Sequence, residues 1–481
     1  MASQTWKVMV YFAGQNRLAD DMVYSLKDMK SVGSDNNLTL LAQYSAKWLW
    51  KKYSNTVELP TPLRFHLKAN EKWVVSDHVN PGHYERPEYC FVKELSDFIW
   101  WGIKYEYKKS DRYMIILSGD GGGPVSTFLP SIMEPHKKLH PFELHRVFQR
   151  ISPKVRGLIG RKIDVVGLDS CLMSTAEIGY ELRTYVDYLV SSQGNVDDIG
   201  WPYRDILSWL KQNPTTSPEN LTKQTVDVYN SYFVDYAMIG KSSGNLSALT
   251  LSAFDDLAPA IESFVDAAMA LLRNGSRSKN AQLSRRLFAQ LLVRAHWVAQ
   301  TYRDDQYADL YDFCDKLVEE IGLVQAASSA RNVDFSRVIE ACNVIKQILC
   351  GASTPGASYS QKVVVKSCHV GAKYQYSRGL SIYFPWNRIR EAYGAYTKGR
   401  KPTGRQTEHS LPRATGWRRF LERYLAATER SPREGFKLGP EWNRLMRDPP
   451  EGKGERTECE TAKNPTLTWE IANCIDSPKN L

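Results

Sequence analysis

The chain has 481 residues, 42% of them hydrophobic and 24% charged, and a formal net charge of +10. That length can bury a sizeable core and exceeds one minimal domain, while no apolar run is long enough to span a membrane. Eight cysteines, at positions 90, 171, 314, 342, 350, 368, 459 and 474, form no CxxC pair, which argues against a disulfide framework and for reduced thiols in a cytoplasmic compartment.

No signal-peptide pattern precedes the first expected strand, which starts at Trp6. Arg112 to Leu117 reads as a strand buried on both faces and ends in a glycine-rich turn from Ser118 to Pro124. Asp120 and Gly121 within it are a favoured turn pair. A dinucleotide fingerprint would need glycine where Pro124 stands, and no Gly-Lys-Ser/Thr follows, so neither phosphate-binding pattern is met. His136, His140 and His145 follow in the next loop and helix. They could supply a base, but without Cys or carboxylates at ligand spacing no metal is expected there.

Ile163 to Leu168 is a second buried-strand run, broken only by Asp164, that stops at Asp169, Ser170 and Cys171. From Leu172 the period becomes helical, through Ala176, Gly179 and Leu182. The pattern places a thiol at the carboxyl end of a strand with helix amides just beyond, where open α/β sheets build sites and a thiolate is favoured. A small buried core cysteine is the alternative.

Strands and helices alternate to about Val190, which predicts a mostly parallel sheet covered by helices on both faces. Helical patterns dominate residues 252–351, in Leu257 to Leu272, Leu287 to Thr301, Leu310 to Ile321 and Val338 to Leu349. Strand character returns at Val363 to Val365 and Leu380 to Phe384, so the helical stretch reads as an insertion. Residues 388–437 carry thirteen basic against five acidic side chains. With no recognised nucleic-acid fold beside it, this segment is expected to be solvated surface, and residues 431–481 a loosely ordered tail.

Several segments resemble, in order, the clostripain-like cysteine peptidases, a caspase-related group. They are Trp6 to Ala13 with Asn16 and Leu18, Asn37 to Tyr44, Leu168 to Met173 with Glu177 and Tyr180, Val190 to Gln193 with Gly200 to Tyr203, Asp309 to Phe313, and Ser377 to Pro385. The resemblance implies a caspase-like peptidase domain over residues 1–385, carrying the insertion, and a basic extension over 386–481. It implies Cys171 as nucleophile and amides near Gly121 and Cys171 as oxyanion donors. It further implies Asp169, with Asp197 or Asp198, as a pocket for Arg or Lys before the cleaved bond, and self-cleavage near Lys137 or Lys138. It allows a calcium requirement, which the sequence itself does not decide. No other cofactor, and no membrane or nucleic-acid partner, is expected; the expected partner is a peptide or protein with Arg or Lys.

One departure stands out. Where the family ends the strand after Met114 to Leu117 in His-Gly, this chain has Asp120-Gly121; Gln15, where an acidic residue is usual, is a lesser mismatch. A histidine near neutral pKa can deprotonate the thiol and protonate the leaving amine. A carboxylate with a pKa of about 4 does neither well, and once ionised it raises the thiol pKa. Two functions therefore follow: a cysteine endopeptidase with turnover much reduced, or a catalytically silent relative that binds a peptide or protein.

Overall fold

The computed structural model describes residues 5–14, 18–45, 62–71, 75–78, 91–107, 110–130, 138–240, 243–273, 278–303, 306–326, 333–351, 361–390, 393 and 409–429. In chain order its elements are β1 (Trp6–Ala13), α1 (Ala19–Val32), β2 (Leu38–Ser45), β3 (Leu63–His66), β4 (Val75–His78), α2 (Phe91–Lys104), β5 (Arg112–Ser118), β6 (Phe128–Pro130), β7 (Lys138–Leu139) and α3 (Leu144–Ile159). There follow β8 (Ile163–Asp169), α4 (Ala176–Leu182), β9 (Val186–Ser191), α5 (Tyr203–Gln212), α6 (Pro218–Gly240), β10 (Gly244–Thr250), α7 (Phe254–Leu271) and α8 (Lys279–Val298). The last are β11 (Thr301–Tyr302), β12 (Tyr307–Asp309), α9 (Leu310–Ala326), α10 (Ser336–Cys350), β13 (Val364–Val370), β14 (Ser381–Tyr383), α11 (Ser410–Thr415) and α12 (Trp417–Glu429).

Among the described residues a nine-stranded sheet has the order β13-β10-β9-β8-β5-β1-β2-β3-β4. The inner run from β9 to β2 is parallel and the outer strands are antiparallel. Alternate residues feed two cores. Met9, Tyr11, Ala13, Tyr113, Ile115 and Leu117 face α2 and α3, while Val8, Val10, Phe12, Met114 and Ile116 face α1, α5 and α6. Burial on both faces is why these strands read as continuous apolar runs. The mainly parallel sheet between helices is the α/β architecture expected.

The insertion lies between β10 and β13. It is not purely helical: β11 and β12 break the predicted helical stretch and join β14 in a small antiparallel sheet. Residues 409–429, within the segment expected as a basic extension, also enter the main core. Trp417, Phe420, Leu421 and Tyr424 are all 1% exposed or less, and the Trp417 indole N–H donates to the Tyr383 carbonyl at 2.8 Å. His296 of α8 lies stacked between Phe384 and Trp386, at centroid distances of 4.0 and 3.7 Å. Among the described residues no helix is long and apolar enough to cross a membrane.

Candidate active site

Strands β5 and β8 pair in parallel, with Met114 opposite Val165 and Ser118 opposite Asp169. Their carboxyl ends therefore open at one sheet edge, and the turns that follow are stitched together. The Gly119 N–H donates to the Asp169 carbonyl at 3.2 Å, and the Ser170 hydroxyl donates to the Gly119 carbonyl at 2.6 Å. Gly121 sits so close to Cys171 that a Cβ there would lie 2.5 Å from the Cys171 carbonyl oxygen. Only glycine lets these two backbones touch. Asp120, half-buried, and Cys171 thus occupy neighbouring turns.

The backbone after the thiol differs from the expected helix. Leu172 has φ 64°, and the helix begins at Ala176 behind Thr175, whose extended backbone and hydroxyl cap the Ile178 N–H. Left-handed backbone at a buried leucine is costly and persists only where the surroundings hold it. Here the loop after β9 does so: the Leu172 N–H donates to the Gly194 carbonyl at 2.9 Å and the Ser174 N–H to the Ser192 carbonyl at 2.8 Å. Ala176, Gly179 and Leu182 lie in the helix as their spacing predicts, and Leu172 alone falls outside it, in a tight, non-helical turn. The sulfur accepts from the Val196 N–H at 3.2 Å and lies 3.6 Å from the Val196 carbonyl.

Asp169 is 4% exposed. Its Oδ2 accepts from the Ser118 and Tyr203 hydroxyls, at 3.0 and 2.8 Å, while Oδ1 is buried without a hydrogen bond of ordinary geometry. Burial raises its pKa to about 6, with the two hydroxyls and the nearby Trp201 N–H opposing the rise. Trp201 reaches this position because Gly167 has no side chain: a Cβ there would lie 2.9 Å from the indole ring. Asp197 is half-buried and Asp198 exposed, in the turn closed by the Gly200 N–H on the Asp197 carbonyl at 2.9 Å. The buried Tyr229 hydroxyl is raised in pKa by burial first, then by Cys368, Asp169, Cys171 and Asp197, which places the last three around one region.

His140 and His145 have other partners. His136 and Lys137 lie outside the described residues, and Lys138 opens β7. His140 stacks on Phe142 at 5.5 Å, and His145 faces Glu181 at 3.6 Å. The buried His409 lies 3.8 Å from the same carboxylate, and its Nε2 is 3.0 Å from the Pro124 carbonyl in the glycine-rich turn. Burial raises Glu181 to about 7 and lowers His409 to about 4. Both shifts favour neutral forms, so hydrogen bonding and packing, not an ion pair, hold residue 409 against that turn. Tyr307 also anchors the turn, donating to the Gly122 carbonyl at 2.8 Å, and the Arg303 guanidinium reaches the same oxygen.

The clostripain family model matches residues 92–387. The chain belongs to the clostripain family. Clostripain of Hathewaya histolytica is 24% identical over 249 residues, covering 45% of this chain and 44% of that protein; the chain thus spans less than half the length of this curated relative. Among solved structures, a secreted C11 cysteine protease from Bacteroides thetaiotaomicron in complex with an irreversible peptide inhibitor aligns at TM-score 0.53. It is 17% identical, over 86% of this chain and 99% of that one. Another structure of a secreted C11 cysteine protease from that organism, called iotapain, aligns at 0.51, with 15% identity over 89% and 100% of the two chains. At these identities the likeness is one of fold, and this clostripain-family chain shares the mainly parallel, helix-flanked sheet.

Sequence reasoning missed the residues that brace the site. Asn245 on β10 and Tyr374 belong to no segment read as catalytic, and Ser118 and Tyr203 lie in segments that were, without being singled out as partners of Asp169. The available signal was polarity within buried strands: Asn245 and Ser247 interrupt a run whose every residue is buried.

Proposed function

We propose that this clostripain-family chain presents Cys171 to a peptide carrying Arg or Lys before the scissile bond, and that Asp120 leaves its turnover low or absent. The observation that carries the reading is the buried Asp169 carboxylate two residues from the thiol, whose Oδ1 has no hydrogen bond of ordinary geometry. A guanidinium or ammonium donor would satisfy it and favour its charged form, with Asp197 or Asp198 as the second carboxylate. In cleavage the thiolate forms a C–S bond to the carbonyl carbon, and amides near Gly121 and Cys171 take the oxyanion. The amine then leaves only with a proton, which an ionised Asp120 cannot give. Peptide capture without turnover is the second reading, and Asp120 is the residue that favours it.

The test is Asp120→His. It removes a like charge from beside the thiol and supplies the missing proton carrier. The variant is expected to cleave Arg and Lys peptides faster by roughly 10³-fold or more, the scale of losses when one member of a catalytic set is removed. It is also expected to nick itself near Lys137 or Lys138, and Cys171→Ala in that background abolishes both. A parent already as fast as Asp120→His would show that Asp120 is not the defect.

A further inference from the structure

The loop between β9 and the Gly200–Trp201 turn meets the nucleophile at its sulfur, and the side chain of Asn245 holds three successive residues of that loop from behind. Asn245 is fully buried. Its Oδ1 accepts from the Gln193 and Gly194 N–H groups, both at 3.0 Å, and from the Ser192 hydroxyl at 2.6 Å. Its Nδ2 donates to the Ser377 hydroxyl at 3.0 Å, and Ser377 in turn meets the Tyr302 hydroxyl at 2.7 Å. Three donors converging on one oxygen fix which way the amide points. The same loop returns a carbonyl, that of Gly194, to the Leu172 N–H. Its next residue, Asn195, donates its N–H to the Tyr374 hydroxyl at 3.1 Å.

We propose that Asn245 is a positioning residue for the nucleophile: by holding Ser192, Gln193 and Gly194 it aims the Val196 N–H at the Cys171 sulfur. An N–H aimed at sulfur favours the thiolate over the thiol, as a charge-assisted hydrogen bond. The titratable groups around this sulfur work the other way. Asp120 in the β5 turn, Asp169 on β8 and Asp197 in the same loop bear negative charge when ionised, and Tyr229 of α6 and Tyr374 are neutral phenols. The Val196 carbonyl, 3.6 Å from the sulfur, also favours the thiol, which leaves the Val196 N–H as the device by which a chain with Asp120 keeps its sulfur reactive. This rests on the reading of Cys171 as nucleophile, but needs neither a peptide nor turnover.

The experiment is alkylation of the full-length chain by iodoacetamide from pH 6 to 10, with Cys171 followed by mass spectrometry of its peptide. Parent Cys171 is expected to titrate below the ordinary thiol value of about 8.5. Asn245→Ala is expected to raise that midpoint by about one unit, so Cys171 reacts roughly tenfold more slowly at pH 7 while the two curves converge at high pH. The buried Cys314 and Cys342 are the folding control, since both stay protected only in the folded chain. Superimposed curves with that protection intact overturn the proposal. If Asn245→Ala exposes them, Asn245→Ser takes its place with the same two readouts. A parent midpoint at or above 8.5 overturns it without any variant. A flat result for Asp120→His turnover leaves these outcomes untouched, so failure here and failure of the peptidase reading are separable.

Discussion

A carboxylate as buried as Asp169 binds its proton more tightly in the folded chain than in the unfolded one, at about 6 against about 3.9. Stability from this group is full below about pH 4 and is lost as pH rises through 6. At neutral pH the fold therefore bears an ionised group whose Oδ1 has no hydrogen bond of ordinary geometry, a cost a basic ligand would relieve. Asp169→Asn removes that charge while keeping an acceptor for Ser118 and Tyr203. The variant is expected to gain on the order of 1 kcal/mol in unfolding free energy at pH 8, with the difference vanishing near pH 4. It is also expected to lose any preference of Cys171 for an Arg over a Leu chloromethyl ketone. Equal labelling by both reagents in the parent would remove the acidic pocket from the reading.

Among the elements, α8 is tied to the segment just after β14 and to α12 through one imidazole. His296 stacks on Phe384 and Trp386 and meets the Tyr424 hydroxyl at 3.2 Å through Nδ1, and burial holds its pKa down at about 3. Its contribution is complete above the unfolded value of about 6.5 and fades as pH falls toward 3. In His296→Phe, chemical denaturation should give a flatter acid limb across that window, by about 2 kcal/mol at pH 5 relative to neutral pH. Unchanged curvature would mean that the ring is not what the acid attacks. Strands β1, β5 and β8 were legible in the sequence because burial on both faces leaves an unbroken apolar run. So was the meeting of Asp120 and Cys171 at one edge. The turn from Leu172 to Thr175 was not, since Leu172 falls at helical spacing from Ala176 yet takes a left-handed backbone. The role of Asn245 was hidden for another reason: its partners lie 51 to 132 residues away, and no local pattern encodes them.

At the scale of the molecule, residues 409–429 complete a core begun at residue 9. Trp417, Phe420, Leu421 and Tyr424 cover α7, α8 and Phe384, and burying such side chains is worth roughly 1.5–3 kcal/mol each. A chain ending at residue 408 is therefore expected to lose its cooperative melt and bind a hydrophobic dye, since the loss of roughly 6–12 kcal/mol over these four side chains is as large as the roughly 5–15 kcal/mol stability of an ordinary domain. A cooperative melt near that of the full chain would show these helices to be dispensable.

The bracing of the turn at Cys171 has a consequence in time. The Ser174 hydroxyl donates to the Gly379 carbonyl, and the Ser381 N–H to the Ser174 carbonyl, across 205 and 207 residues. Asn245 likewise waits for Ser377. During vectorial synthesis, at about 5–20 residues per second, the thiol emerges many seconds before the segments that shape its turn. A ribosome-bound chain that stops short of residue 377 carries the cysteine without its setting, so competence at Cys171 arrives late in translation.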